Sequence, residues 1–187
     1  MRLRLAELRE QQPQARLRQT WIPYNKIATP LKRAILDSED DQFVKHHGFD
    51  WAGIGAAVAK DEKEGKFSMG GSTITQQLAK NLFLSPDKTL WRKGQEAVIT
   101  VMLEAVMSKR RILEIYLNVV EWGDGVFGCE AAAREYYGVT AAQLDTRQAA
   151  RLAVMLPNPQ VYARGFPPRL VAREKRIAAT AHTIAIP

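Results

Sequence analysis

Apolar residues recur along most of this chain with the three- and four-residue spacing of amphipathic helices. In the string ITQQLAKNL, for example, Ile74, Leu78 and Leu82 are spaced i, i+4 and i+8 and are predicted to face the core. No stretch of useful length alternates between apolar and polar residues as a half-buried strand would. The pattern therefore predicts a mainly α-helical domain.

Gly and Pro residues separate the periodic stretches and set the predicted helix ends. One helix is predicted from about Leu31 to Phe43, and another from Trp51 to Gly65, followed by a polar loop. Later helices are predicted from Thr73 onward, around the string KRRILEIYLN, and over 129–138 and 146–159.

Length and composition indicate one globular domain, because 187 residues with 46% apolar content can bury a sizeable core. The charged stretch before Trp21 is predicted to be an N-terminal extension, residues 1–20, and residues 21–187 the domain. No window reaches the roughly 18–20 apolar residues of a membrane-spanning helix, and the first residues lack the apolar centre of an export signal.

A net charge of +7 indicates a polyanionic partner, which could be nucleic acid, anionic lipid or a phosphorylated substrate. The chain has neither an RNP-like pattern nor a zinc-finger spacing. The charge alone does not separate the three partners, but the absence of these patterns disfavours nucleic acid.

The string SEDDQFVKHHGFDW concentrates acids, histidines and aromatic residues within an otherwise basic chain. It could be a solvated helix end, a metal site, or a catalytic acid or base against an apolar wall. Glu39, Phe43 and His46 are spaced i, i+4 and i+7, which puts them near one face if the helix continues that far. The metal interpretation is disfavoured because no H-E-x-x-H spacing accompanies the histidines.

The string GGSTITQQLAKNLF predicts a capped helix start, with Thr73 as N-cap and Gln76 completing a capping box. Thr73, Gln77 and Lys80 then share a polar, cationic face. A helix N-terminus with a lysine two turns in suits an anion such as phosphate, although an ordinary amphipathic helix has the same pattern.

The string SPDKTLWRKGQE collects three cations, Lys88, Arg92 and Lys93, and places Glu96 four residues after Arg92. Arg92 and Glu96 can therefore pair on one helix face, either at a functional site or as a surface ion pair of little energetic weight.

Five strings occur together in the order and spacing seen in peptidoglycan glycosyltransferases: EDDQFVKHHGFDW, GGSTITQQLAKNLF, RKGQEA, KRRILEIYLNVVEWGDGVFG and EAAAREYYG. The chain thus resembles the transglycosylase domain of bifunctional penicillin-binding proteins, and most of all its monofunctional biosynthetic relatives. This resemblance implies a lysozyme-like, mainly helical fold with a large helical lobe and a smaller, mobile, membrane-contacting lobe.

The resemblance also implies a reaction, the polymerisation of lipid II with inversion at the sugar C1 and release of undecaprenyl pyrophosphate. Glu39 matches the general base for the acceptor 4-hydroxyl, and Glu96 a second carboxylate at the pyrophosphate or a divalent ion. The residues matched to substrate binding are Asp40, Phe43, His46, Ser72, Thr73, Gln76, Gln77, Lys80, Lys88, Arg92 and Lys93. No cofactor is implied as required, and a divalent cation, Mg or Mn, is left open.

The partners implied are lipid II, the nascent glycan strand, the membrane surface and penicillin-binding or division proteins, with no nucleic acid. The implied location is the periplasmic face of the bacterial inner membrane, although this chain lacks the anchor helix usual in the family.

Two alternative functions stay open. A lysozyme-like hydrolase would share the fold and a catalytic Glu but needs no cations for a diphosphate. A membrane-surface binding module would explain the charge but not the carboxylates.

Overall fold

The computed structural model describes residues 9–10, 16–53, 55, 71–85 and 89–187. Helices dominate these residues, as the apolar periodicity predicts. They are α1 (Thr29–Glu39), α2 (Ile74–Phe83), α3 (Leu90–Val106), α4 (Lys109–Val119), α5 (Cys129–Tyr137), α6 (Thr146–Met155), α7 (Pro159–Arg164) and α8 (Pro168–Thr180). Single 3-10 turns lie at Tyr24–Lys26 and Ala181–Thr183.

Three short strands, β1 (Arg18–Gln19), β2 (Glu121–Gly123) and β3 (Val126–Phe127), form a small sheet in the order β1-β3-β2. Strand β1 runs parallel to β3 and pairs Arg18 with Val126, whereas β2 is antiparallel to β3. The strand β1 belongs to the segment predicted to be an extension, and the boundary at residue 21 stays a prediction.

Helix α4 lies at the centre of the core, with Ile112, Leu113, Tyr116 and Leu117 fully buried. Helix α1 packs against α6 and α8 on one side of the molecule, and α2 packs against α3 and α4 on the other. The loop after α1 leads from the helices α1, α6 and α8 towards the helices α2, α3 and α4. The C-terminal end of α1 and the N-terminal end of α2 consequently face each other across the site described below.

Two details of the predicted helices are wrong. The first helix ends at Glu39 rather than Phe43, because Asp40 leaves the helical conformation at φ −167°. Glu39, Phe43 and His46 therefore do not share a helix face. Leu82 is 41% exposed, although Ile74 and Leu78 are buried as predicted. It lies in the last turn of α2, where residues 80–83 are all exposed.

Of the predicted helix from Trp51 to Gly65, the structure describes only residues 51–53 and 55, which are helical. The remainder of this helix and most of the predicted polar loop lie outside the described residues, so the smaller lobe implied by the resemblance stays a prediction. Within the part of the chain that the structure describes, no helix combines the length and apolar content needed to cross a membrane.

Candidate active site

An open cavity of about 680 Å³ lies between the C-terminal end of α1, the N-terminal half of α2, the turn after α6 and the side of α8. Six of the predicted site residues line it: Glu39, Asp40, Ser72, Thr73, Gln77 and Lys80. Two strings that are far apart in the sequence therefore meet in one cleft.

Glu39, the last residue of α1, lies in this cleft with 10% of its side chain exposed. The hydroxyl of Ser38 donates to Glu39 Oε1 at 3.0 Å, and Gln77 Nε2 donates to Oε2 at 3.0 Å. The guanidinium of Arg173, on α8, lies 4.0 Å from Oε1. A carboxylate held in a cleft by such contacts can accept a proton from a bound hydroxyl.

The side-chain amide of Gln77 also hydrogen-bonds to a residue of the core. The hydroxyl of Tyr116 donates to Gln77 Oε1 at 2.9 Å. Tyr116 is fully buried on α4, so the contact joins the cleft to the centre of the fold.

Asp40 connects α1, α2 and the following loop, and only 2% of its side chain is exposed. Its Oδ2 accepts from the backbone N–H of Ile74, the first residue of α2, at 2.9 Å, and its Oδ1 lies 2.8 Å from His46 Nε2. Burial raises the pKa of Asp40, and the hydrogen bonds from His46 and Ile74 oppose that shift. Phe43 is buried with its ring edge-on to His46. These residues together fix the end of α1 against the start of α2.

The predicted capping box at the start of α2 is confirmed. Thr73 Oγ1 accepts from the backbone N–H of Gln76 at 3.3 Å, and Gln76 Oε1 accepts from the backbone N–H of Thr73 at 3.0 Å. The Thr73 hydroxyl donates to the carbonyl of Gly48 at 2.6 Å. Gly48 has φ +90°, and a Cβ there would lie 2.8 Å from Thr100 Cγ2, so this approach needs glycine.

Arg92 and Lys93 on α3 contact one buried carboxylate, that of Glu96, whose side chain is 3% exposed. Arg92 Nη1 lies 3.1 Å from Glu96 Oε2, and the Lys93 ammonium contacts Oε1. The predicted pair of Arg92 and Glu96 is thus confirmed, but it is buried rather than on the surface. Among the described residues, these three do not line the cavity that holds Glu39. Lys88 lies outside the described residues.

Arg173 is a cleft cation that the sequence analysis missed. Its Nη2 donates to both the backbone carbonyl and the hydroxyl of Ser38, each at 3.0 Å. The segment around Arg173, AREKR, has the charge pattern of an ordinary exposed helix. No local signal distinguishes it, because its importance comes from contact with a residue 135 positions away.

Comparison with known proteins identifies the class. Residues 6–182 match the family described as Transglycosylase. A protein named biosynthetic peptidoglycan transglycosylase from Azoarcus sp. (strain BH72) is 63% identical over 177 residues, which cover 95% of this chain and 77% of the relative. Proteins of the same name from Aromatoleum aromaticum and Dechloromonas aromatica are 60% and 61% identical, over 95% and 88% of this chain and 77% and 71% of their own lengths.

The fold is accordingly the lysozyme-like, mainly helical domain of this family. The chain belongs to the transglycosylase family and is a peptidoglycan glycosyltransferase, an enzyme of cell-wall synthesis. This membership sets aside the interpretations as a binding module or a hydrolase.

Proposed function

We propose that the chain polymerises glycan strands from lipid II. In the proposed step the acceptor 4-hydroxyl oxygen bonds to C1 of the growing strand as the bond from C1 to the pyrophosphate oxygen breaks. The configuration at C1 is inverted, undecaprenyl pyrophosphate leaves, and the hydroxyl proton passes to a base. The observation that carries this proposal is the placement of Glu39 in the cleft.

Glu39 is the proposed base, and its neighbours support the choice by elimination. Asp40 uses both of its carboxylate oxygens to hold Ile74 and His46. Asp37 accepts from the hydroxyl of Thr180 at 2.7 Å. Glu39 accepts from the neutral side chains of Ser38 and Gln77 and has the Arg173 guanidinium 4.0 Å away. Its side chain is more exposed than that of Asp40, 10% against 2%, and it borders the cavity, where an acceptor hydroxyl can reach it.

The proposed partners of the pyrophosphate are the cations Lys80, Lys88, Arg92 and Lys93. Lys80 lines the same cavity as Glu39, two turns into α2. Arg92 and Lys93 carry one positive charge more than Glu96 neutralises, and that surplus suits a leaving group on which negative charge develops. In this proposal Glu96 holds the two cations in position.

A divalent ion at Glu96 does not fit the side chains around it. Both carboxylate oxygens of Glu96 contact cations, and no group of three His, Cys, Asp or Glu residues within the described ranges could hold a metal. We therefore assign no step of the transfer to a metal at this position.

The test is polymerisation of fluorescent lipid II in detergent micelles, with products separated on a gel. We expect ladders of long glycan from the wild type and a loss of about 10²- to 10⁴-fold in rate for Glu39→Gln, the range typical of a general base. Glu135→Gln, which changes an exposed carboxylate paired with Arg18, is the matched control and keeps full activity. Circular dichroism verifies that each variant is folded.

A folded Glu39→Gln variant with wild-type rate would refute the role of Glu39. A wild type that shortens preformed glycan and makes no polymer would refute the direction of the reaction.

We also propose that the enzyme works at the periplasmic face of the inner membrane, with α3 against the lipid. One side of α3 is apolar and more than half exposed, and it comprises Leu90, Trp91, Val98, Val101, Met102 and Val106. The opposite side buries Glu96, Thr100 and Leu103. An exposed apolar patch of this kind on a protein of charge +7 is suited to an anionic bilayer surface.

Sedimentation with anionic vesicles tests this location. We expect Val98→Ser with Met102→Ser to lower the bound fraction severalfold while stability stays within about 0.5 kcal/mol, because both side chains are exposed. Val161→Ser, at an exposed valine on α7, is the control and should bind as the wild type does. Equal binding of all three proteins would contradict the proposal.

A further inference from the structure

The amide of Gln77 is held in a single orientation between a buried phenol and the cleft carboxylate. Its Nε2 has two acceptors within reach, Glu39 Oε2 at 3.0 Å and the carbonyl of Ser72 at 3.4 Å. Its Oε1 accepts from the hydroxyl of Tyr116 at 2.9 Å. The reversed amide would place Oε1 against both acceptors and Nε2 against the phenol, so the surrounding groups select one orientation.

Tyr116 can serve as a permanent donor because its phenol stays protonated. Burial, and then the negative charges of Glu39 and Asp40, hold the pKa of Tyr116 well above its usual value. The hydroxyl therefore keeps its proton over the whole range in which an enzyme of this class would work. Its position is also fixed, because the ring is packed in the core on α4.

We infer that Tyr116 is a positioning residue for catalysis: it locks the Gln77 amide so that Nε2 points at the carboxylate of Glu39. The inference rests on the proposed role of Glu39 as base. Tyr116 acts through Gln77 and needs no contact with the substrate. Held in this way, Gln77 presents a hydrogen-bond donor to the ionised carboxylate of Glu39. That is the state of Glu39 that takes the proton from the 4-hydroxyl of the acceptor sugar.

The hydrogen bond from Tyr116 to Gln77 should affect the pH dependence of the reaction. Without the phenol, the amide can rotate and present Oε1 as an acceptor to a protonated Glu39, which stabilises the inactive form of the base. The acidic limb of the rate profile should then move to higher pH. The other groups around Glu39 are unchanged by such a variant: Ser38 beside it on α1, Asp40 and Asp41 after α1, Lys80 on α2 and Arg173 on α8.

The experiment compares Tyr116→Phe with the wild type in the lipid II assay across pH. We expect kcat to fall about two- to tenfold, as for the loss of one hydrogen bond, with KM changing less than twofold and the acidic limb moving upward. Tyr136→Phe is the matched control, because it also removes a phenol that donates to a buried group, the carbonyl of Trp122 at 2.7 Å, without a link to Glu39. We expect its profile to match that of the wild type.

Gln77→Ala completes the test. If Tyr116 acts only through Gln77, adding Tyr116→Phe to Gln77→Ala changes kcat by less than twofold. Gln77 is partly exposed in the cleft, so Gln77→Ala alone also tests the contact if Tyr116→Phe folds poorly, and it should lower kcat by at least as much.

An unchanged profile for folded Tyr116→Phe, or a full additional loss in the Gln77→Ala background, would overturn the inference. These outcomes differ from a failure of the proposed function, which would appear as an active Glu39→Gln variant.

Discussion

Replacement of Asp40 probes the connection between the end of α1 and the start of α2. Asp40→Ala removes the hydrogen-bond partner of the Ile74 backbone N–H and of the His46 imidazole. Both groups are enclosed there, since the side chain of Asp40 is 2% exposed. Each unsatisfied buried group costs about 1–3 kcal/mol. With two such groups, we expect the free energy of unfolding to fall by about 2–6 kcal/mol.

Asp40→Asn separates the hydrogen bonds from the charge. The Asn carbonyl can still accept from Ile74, and the amide can donate to His46 Nε2 when that nitrogen is unprotonated. Asn also serves helix N-termini about as well as Asp. We therefore expect a loss below about 1 kcal/mol near neutral pH.

The two proteins should also differ in their pH dependence. Burial raises the pKa of Asp40, so the folded state binds this proton more tightly than the unfolded chain does. The resulting stability is present in full below the unfolded pKa of about 3.9 and is lost as pH rises through the folded pKa. The stability of the wild type relative to Asp40→Asn should therefore decline as pH rises from about 4.

Urea unfolding followed by circular dichroism between about pH 4.5 and 7.5 measures both effects. Asp41→Asn removes the same charge from an exposed neighbour and should stay within about 0.5 kcal/mol of the wild type. Equal stabilities of Asp40→Ala and Asp40→Asn would refute the hydrogen-bond argument. A constant difference between wild type and Asp40→Asn across pH would refute the argument from burial.

Two further predictions concern local backbone structure. Thr73→Ala should lower the free energy of unfolding by about 1 kcal/mol, and Thr73→Ser should restore most of it, since either hydroxyl can cap α2. Gly128→Ala should cost more than about 1 kcal/mol, because Gly128 has φ +80° and its Cβ would lie 2.6 Å from the carbonyl oxygen of Asn118. Gly165→Ala, where no atom lies within 4 Å of the added Cβ, is the control. Thermal unfolding measures all four variants, and equal losses at the two glycines would contradict the steric reasoning.

Sequence reasoning succeeded where the deciding contacts are local. The capping box at Thr73 and the pair of Arg92 and Glu96 were predictable, because residues three or four apart on a helix are neighbours whatever surrounds them. The end of α1 was not predictable, because Asp40 leaves the helical conformation and its side chain binds the backbone of Ile74, 34 residues later. Arg173 was missed for the same reason. The meeting of Glu39 with Gln77 followed from the resemblance rather than from any spacing in the sequence.

The end of α1 also explains how the fold tolerates two carboxylates there. A helix C-terminus carries partial negative charge and disfavours the anions of Glu39 and Asp40. The N-terminus of α2, which carries partial positive charge, lies directly opposite and donates the Ile74 N–H to Asp40. Arg173 approaches Glu39 from α8. Because Asp40 both ends α1 and binds the first N–H of α2, it fixes the backbone that carries Glu39 relative to the helix that carries Gln77. Asp40→Ala, which removes this contact, should thus be slower than Asp40→Asn in the lipid II assay even at temperatures where both variants are fully folded.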